Sequence, residues 1–134
     1  MKLQDTKAGW YLSLSEGRLG LIHIDFQLKL DLIDSSGTTN LTIEAQFHLK
    51  KANLDMVLTP GETASLAPIL PLYNAKVIGV IIDKTGKIIV EFENGYLLEV
   101  TPDEKYEAWQ IGCPIGSGVL LVCAPGGEVA LFRK

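Results

Sequence analysis

Residues 22–32 read IHIDFQLKLDL, with an apolar side chain at every even position and a polar or charged one at every odd position. Ile22, Ile24, Phe26, Leu28, Leu30 and Leu32 therefore share one side of an extended chain, and His23, Asp25, Gln27, Lys29 and Asp31 the other. A strict period of two specifies a half-buried β-strand and excludes an amphipathic helix. Leu41, Ile43, Ala45, Phe47 and Leu49 repeat the alternation, and Asp34-Ser35-Ser36-Gly37 between the two runs has the composition of a tight turn. With Asp34 facing Gly37, Leu30 falls opposite Leu41 and Leu28 opposite Ile43. The same register puts Phe26 opposite Ala45, Ile24 opposite Phe47 and Ile22 opposite Leu49. Such a hairpin has one dry face and one wet face, and a slip of one residue would turn its apolar side chains to water.

Leu30 to Leu49 aligns without a gap with Gly79 to Leu98, matching Ile33 with Ile82, Asp34 with Asp83, Gly37 with Gly86, Glu44 with Glu93 and Leu49 with Leu98. This predicts a duplicated hairpin. Pairing Asp83 with Gly86 places Ile81, Ile88, Val77 and Phe92 on one face and Ile78, Val80 and Ile89 on the other. A hairpin apolar on both sides belongs in the middle of the fold or in a subunit contact. Asn94-Gly95 is a strong hairpin dipeptide, but the even positions from Ile88 to Val100 keep their phase across it, which favours a bend or bulge at Gly95 within one strand. Thr59-Pro60-Gly61-Glu62 and Thr101-Pro102-Asp103-Glu104 have capping-box spacing with proline at the first helical position. The first predicts a helix from Pro60 to about Ala67, stopped by Pro68 and Pro71, and the second a single turn before Tyr106. Strands over 106–111, 119–123 and 128–132 follow, joined by a glycine-rich turn at 114–118 and a type II turn at Pro125-Gly126-Gly127. These elements make one all-β domain over residues 1–134, a barrel or twisted sandwich with one or two short helices.

The 134 residues are 47% hydrophobic and 21% charged, with net charge −4. That composition excludes a disordered chain, and the acidic balance argues against a nucleic-acid or anionic-membrane binder. The first ten residues have no apolar core of a secretory signal. The longest aliphatic runs, 77–82 and 118–123, fall well short of the roughly 17 residues of a membrane helix, so a cytoplasmic protein is expected. Cys113 and Cys123 lack the spacing of a zinc or redox pair and read as reduced packing residues.

Little in the sequence points to catalysis. In the register above His23 and His48 face each other, with Asp25, Glu44 and Gln46 nearby, the makings of a two-histidine, one-carboxylate metal site. A solvated polar face is the preferred reading, and neither metal nor cofactor is expected. Glu91, Glu93 and Glu99 along one strand, and Asp103, Glu104 and Glu107 near the second capping box, read as exposed positions and caps before they read as a glycosidase pair. No glycine-rich loop joins a strand to a helix in the manner of a phosphate cradle. Tyr106-Glu107-Ala108-Trp109 and the turn ending in Glu128 supply the binding candidates Tyr106, Glu107, Trp109 and Glu128. A core position is nevertheless the preferred reading for Trp109, and a structural turn for 125–128.

The stretch Leu41-Thr42-Ile43-Glu44 with Phe47 and Leu49, the Leu- and Pro-rich segment after it, Phe92-Glu93-Asn94-Gly95, Tyr106-Glu107-Ala108-Trp109 and Val122-Cys123-Ala124-Pro125-Gly126-Gly127-Glu128-Val129-Ala130 together resemble a family of small, uncharacterised bacterial all-β proteins. The resemblance covers about residues 20 to 134. It departs at Leu131-Phe132, where the family tends to have a tryptophan. It implies a bacterial cytosolic protein and carries no catalytic residues. The leading expectation is a non-enzymatic protein-binding module, such as an immunity or accessory protein, whose acidity suits a basic partner. A hollow barrel carrying a small ligand or a minor enzymatic activity, lined by Tyr106, Trp109 and Cys123, is the first alternative. A structural homo-oligomer, in the simplest case a homodimer joined through the second hairpin, is the other.

Overall fold

The structure, a computed structural model, describes residues 2–113 and 118–133. The described residues form twelve strands: β1 (Lys2–Thr6), β2 (Gly9–Ile24), β3 (Leu28–Asp34), β4 (Gly37–Ile43), β5 (Phe47–Lys51), β6 (Leu54–Leu58), β7 (Lys76–Asp83), β8 (Ile88–Phe92), β9 (Leu97–Val100), β10 (Trp109–Cys113), β11 (Val119–Cys123) and β12 (Val129–Arg133). A 3₁₀ helix, Thr63–Leu72, joins β6 to β7. All strands belong to one antiparallel sheet in the order β12-β11-β10-β4-β3-β2-β7-β8-β9-β5-β6, with β1 added beside β2. The path ends at β12 and β6, so the sheet is open and not a closed barrel.

Strand β2 is the spine. A straight strand of its sixteen residues would run about 53 Å at about 3.3 Å each, and β2 instead changes register twice, between Ser13 and Gly17 against β7 and between Leu19 and Leu21 against β3. Its residues 9–13 pair with β1, 9–18 with β7 and 18–24 with β3. The wing built on β3 and the wing built on β7 enclose one core. Leu28, Leu30, Leu32, Leu41, Ile43 and Ile111 from the first wing and Val80, Ile82, Ile88, Val90 and Leu98 from the second lie in the same buried cluster.

The corner at Asp34 and Gly37 forms with the register read from the sequence, Leu30 opposite Leu41 and Leu28 opposite Ile43. That hairpin stops at Leu28 and Ile43. Residues 22–32 are not one strand: the chain reverses at Asp25-Phe26-Gln27, and Ile24 pairs with Leu28 and Ile22 with Leu30. The alternation survives the reversal because Ile24 and Leu28 are cross-strand partners on the same face, leaving Phe26 at the tip, 91% exposed. Phe47 and Leu49 belong to β5, which pairs with β9 and β6, so neither is a strand partner of Ile24 or Ile22.

The second hairpin is longer by one residue than expected. Ile82 pairs with Ile88 and Ile81 with Ile89. Gly86, at φ +99°, donates its N–H to the Asp83 carbonyl at 3.1 Å, and the Asp83 N–H reaches the Lys87 carbonyl at 3.0 Å. This glycine bulge adds the extra residue. Val80, Ile82, Ile88 and Val90 therefore face the core, and Ile78, Ile81 and Ile89 face outward. The two corners share an aspartate cap: Asp34 Oδ1 accepts the Ser36 N–H at 2.8 Å and Asp83 Oδ1 the Thr85 N–H at 3.0 Å. Their registers differ, and the likeness ends at the corner.

Asn94-Gly95 is a turn and not a bend. Strands β8 and β9 form an antiparallel pair, with the Phe92 N–H donating to the Tyr96 carbonyl at 3.0 Å and Gly95 at φ +93°. The in-phase pattern misleads there for the same reason as at Phe26: a bulged turn returns the chain on the same face. The first predicted α-helix is instead 3₁₀ and runs through Pro68 and Pro71. Its buried residues Leu66, Ile69 and Leu72 recur every three positions, which matches three residues per turn and not 3.6. The second capping box starts no helix; Asp103 Oδ1 caps an irregular loop, accepting the N–H groups of Lys105 at 2.8 Å and Tyr106 at 3.0 Å. The expected strand at 106–111 begins only at Trp109, and the expected turn at 114–118 falls largely outside the described residues. The turn at Pro125 is type II, with Gly126 at φ +86° and the Gly127 N–H on the Ala124 carbonyl at 3.0 Å.

Candidate functional site

Four loops meet at one end of the sheet. The Gln27 amide donates to the Glu44 carboxylate, and the Glu44 N–H donates to the Ala108 carbonyl at 2.9 Å. The Gln46 amide donates to the Thr59 hydroxyl at 3.2 Å. Gly61 lies close enough to Phe26 that a Cβ placed on it would sit 3.9 Å from the Phe26 carbonyl oxygen. Loops 25–27, 44–46, 59–62 and 101–108 thus form one surface, which carries Phe26 at 91% and Tyr106 at 70% exposure. Asp25, Glu44, Glu62, Glu104 and Glu107 are exposed around them, Asp103 is half-buried, and Lys105 is the one Lys or Arg in these loops. Asp25 accepts the Gln27 N–H at 2.8 Å and pairs with His23 at 3.0 Å. The backbone hydrogen bond first, and the histidine second, hold its carboxyl below the ordinary range.

Of the residues singled out in the sequence, Tyr106 and Glu107 lie on this surface. Trp109 does not. It is fully buried, and its indole Nε1 donates to the Gly86 carbonyl at 2.8 Å. The Cys123 thiol approaches the same oxygen at 3.4 Å. A Cβ on Gly86 would come within 2.5 Å of the Gly127 carbonyl oxygen, so the corner after β7 and the turn before β12 touch backbone to backbone. The Gly126 N–H then reaches the Asp103 carbonyl at 2.8 Å. The tryptophan of the Tyr-Glu-Ala-Trp stretch and the glycines of Pro-Gly-Gly-Glu therefore lock the two wings together, and Trp109 is a core residue out of reach of any docked partner. Glu128 follows this knot as an exposed residue, its carbonyl accepting the Ala124 N–H at 2.8 Å. Because Trp109 and Cys123 pack on Gly86 and Tyr106 points outward, these three residues line no hollow interior.

The histidines stand apart. His23 is on β2 opposite Lys29, and His48 is on β5 opposite Glu99 and Val57. His48 Nδ1 lies 2.7 Å from Asp55 Oδ1, so each ring has its own aspartate. Among the described residues no three His, Cys, Asp or Glu side chains cluster in a way that would hold a metal ion. Cys113 and Cys123 are not joined in a disulfide. Burial pushes the Cys113 thiol up to about 12 and also raises that of Cys123, which leaves neither activated as a nucleophile. Among the described residues no helix is long and apolar enough to cross a membrane.

Phe26 was legible as an alternating apolar position, but its exposure was not, because the reversal at 25–27 leaves the period unbroken. A second feature had no sequence signal. It is a groove of about 660 Å³ beside the register shift of β2, lined by Leu14, Glu16, Arg18, Lys76, Ile78 and Glu93 among others.

Compared with known proteins, residues 10–133 match the model of a "Family of unknown function (DUF6188)". No curated protein and no solved structure matches the chain.

Proposed function

The chain belongs to that family of unknown function, and we propose that it is a non-enzymatic binding module of the cytosol that docks a basic protein at the loop end carrying Phe26 and Tyr106. The observation that carries this reading is the pair of solvent-exposed aromatic rings amid six carboxylates and one lysine. An exposed phenylalanine gains its full transfer free energy only when a partner covers it, and aromatic anchors of this kind dominate protein interfaces. The surrounding carboxylates favour encounter with a cationic surface and repel an anionic one. The separate His–Asp pairs and the buried, raised thiols fit a role without catalysis.

The test is a photo-crosslinking amino acid at position 26, irradiated in an extract of the source organism, beside the Phe26→Ser/Tyr106→Ser variant. A single stoichiometric adduct with a basic protein is expected, with an association rate that falls steeply as salt is raised. Both substituted residues are exposed, so the double variant keeps its fold within about 1 kcal/mol and loses the partner. Absence of a stoichiometric adduct, or a variant that binds as well as the native chain, overturns the reading.

A further inference from the structure

The groove beside the β2 register shift lies at the other end of β3 from the loop surface, and its features arise independently. The ladder between β2 and β7 passes from Ser13 opposite Gly79 to Gly17 opposite Val77, so three residues of β2 face Ile78 alone. The bulge is anchored by the Ser15 N–H on Asp34 Oδ2 at 3.1 Å and carries Glu16 at φ +53°. Asn74, on the facing wall, is held at φ +66° by its N–H on the Leu19 carbonyl at 2.7 Å. Two of the three described non-glycine residues with positive φ thus line one groove, the kind of placement in which strain marks a site.

The charges carry the argument further. Arg18 and Lys76 are direct partners across the ladder, an arrangement in which like charges repel. Neither forms an ion pair within 4 Å among the described residues, nor do Glu16 and Glu93, which line the same groove. Leu14 and Ile78, the latter 48% exposed, supply its apolar surface.

We propose that this groove binds a short zwitterionic peptide. The ligand's carboxylate sits between Arg18 and Lys76 and relieves their repulsion, its ammonium group faces Glu16 and Glu93, and an aliphatic side chain covers Leu14 and Ile78. A volume of about 660 Å³ suits a dipeptide or tripeptide.

Titration of the ¹⁵N-labelled chain with the dipeptide Leu-Leu, and separately with Leu-Leu amide, tests this. Saturable amide shifts at Gly17, Val77 and Ile78 are expected with Leu-Leu, and affinity about tenfold weaker for the amide, which lacks the carboxylate. The Arg18→Gln/Lys76→Gln variant, which removes two exposed charges and their repulsion, keeps its fold and loses the same factor. Shifts that do not saturate, equal affinity for the two probes, or unchanged binding by the variant overturn the proposal. Phe26→Ser/Tyr106→Ser leaves Leu-Leu binding untouched, so the two readings fail or stand separately.

Discussion

Asp34 does more than close a turn. Its carboxylate accepts the Ser36 N–H at 2.8 Å, the Ser36 hydroxyl at 2.6 Å and the Ser15 N–H at 3.1 Å, and so joins the corner after β3 to the bulge of β2. Burial works to raise its pKa, but the hydrogen bonds outweigh it and hold the carboxyl far below the usual carboxylate range. A group depressed in the folded state stabilises the fold fully above its unfolded pKa and loses that contribution as pH falls towards the folded one. Asp34→Asn is therefore expected to cost about 1–3 kcal/mol at neutral pH. The difference from the native chain is expected to shrink progressively below about pH 4. Urea denaturation of both proteins at a series of pH values checks this; a difference that stays constant with pH contradicts it. The sequence showed this residue as a turn former because that chemistry is local, whereas the reach to Ser15 spans nineteen positions and appears only in the fold.

At the scale of elements, the bulge of β2 is where local preference and tertiary demand disagree. Glu16 occupies a left-handed conformation that an L-residue adopts at a cost and glycine adopts freely. Glu16→Gly is expected to change stability by no more than about 1 kcal/mol, with relief of strain offsetting the added chain entropy, whereas Glu16→Val is expected to destabilise by about 1–2 kcal/mol because a β-branched side chain is strained there. Thermal unfolding of the two variants measures the contrast, and equal melting temperatures would contradict the assignment of strain. The 3₁₀ helix has the opposite character: its period of three was written in Leu66, Ile69 and Leu72 and was obscured by a capping-box signal that forms no cap. Ser65 occupies that place, its hydroxyl oxygen accepting the Thr59 N–H at 3.1 Å.

At the scale of the whole molecule, one core spans both wings, so the wings are expected to unfold together. Trp10 on β2, paired with Ile82 of β7, reports on one wing and Trp109 on β10, paired with Ile43 of β4, on the other. The variants Trp10→Phe and Trp109→Phe leave one reporter each. In each, fluorescence and far-ultraviolet circular dichroism are expected to give the same denaturation midpoint, although Trp109→Phe lowers that midpoint by removing the hydrogen bond to Gly86. Two transitions in Trp10→Phe, which keeps the knot of Trp109, Gly86 and Gly127 intact, would mean that the knot does not couple the wings.

The sequence alone determined that the chain is built of strands, where its corners at Asp34, Asp83 and Pro125 lie, and which side of β3 and β4 is dry. Alternation and turn chemistry act between near neighbours and need nothing else. Only the tertiary structure decided that β5 leaves β4 for β9, that β10 returns to β4, and that residues 22–32 are divided between two strands. The partners of a strand are chosen by which free edge and which shared core lie within reach. A bulged turn preserves the apolar phase whether the chain continues or reverses, so that choice leaves no mark in the local pattern. The same tertiary choice buried Trp109, exposed Phe26 and set Arg18 against Lys76.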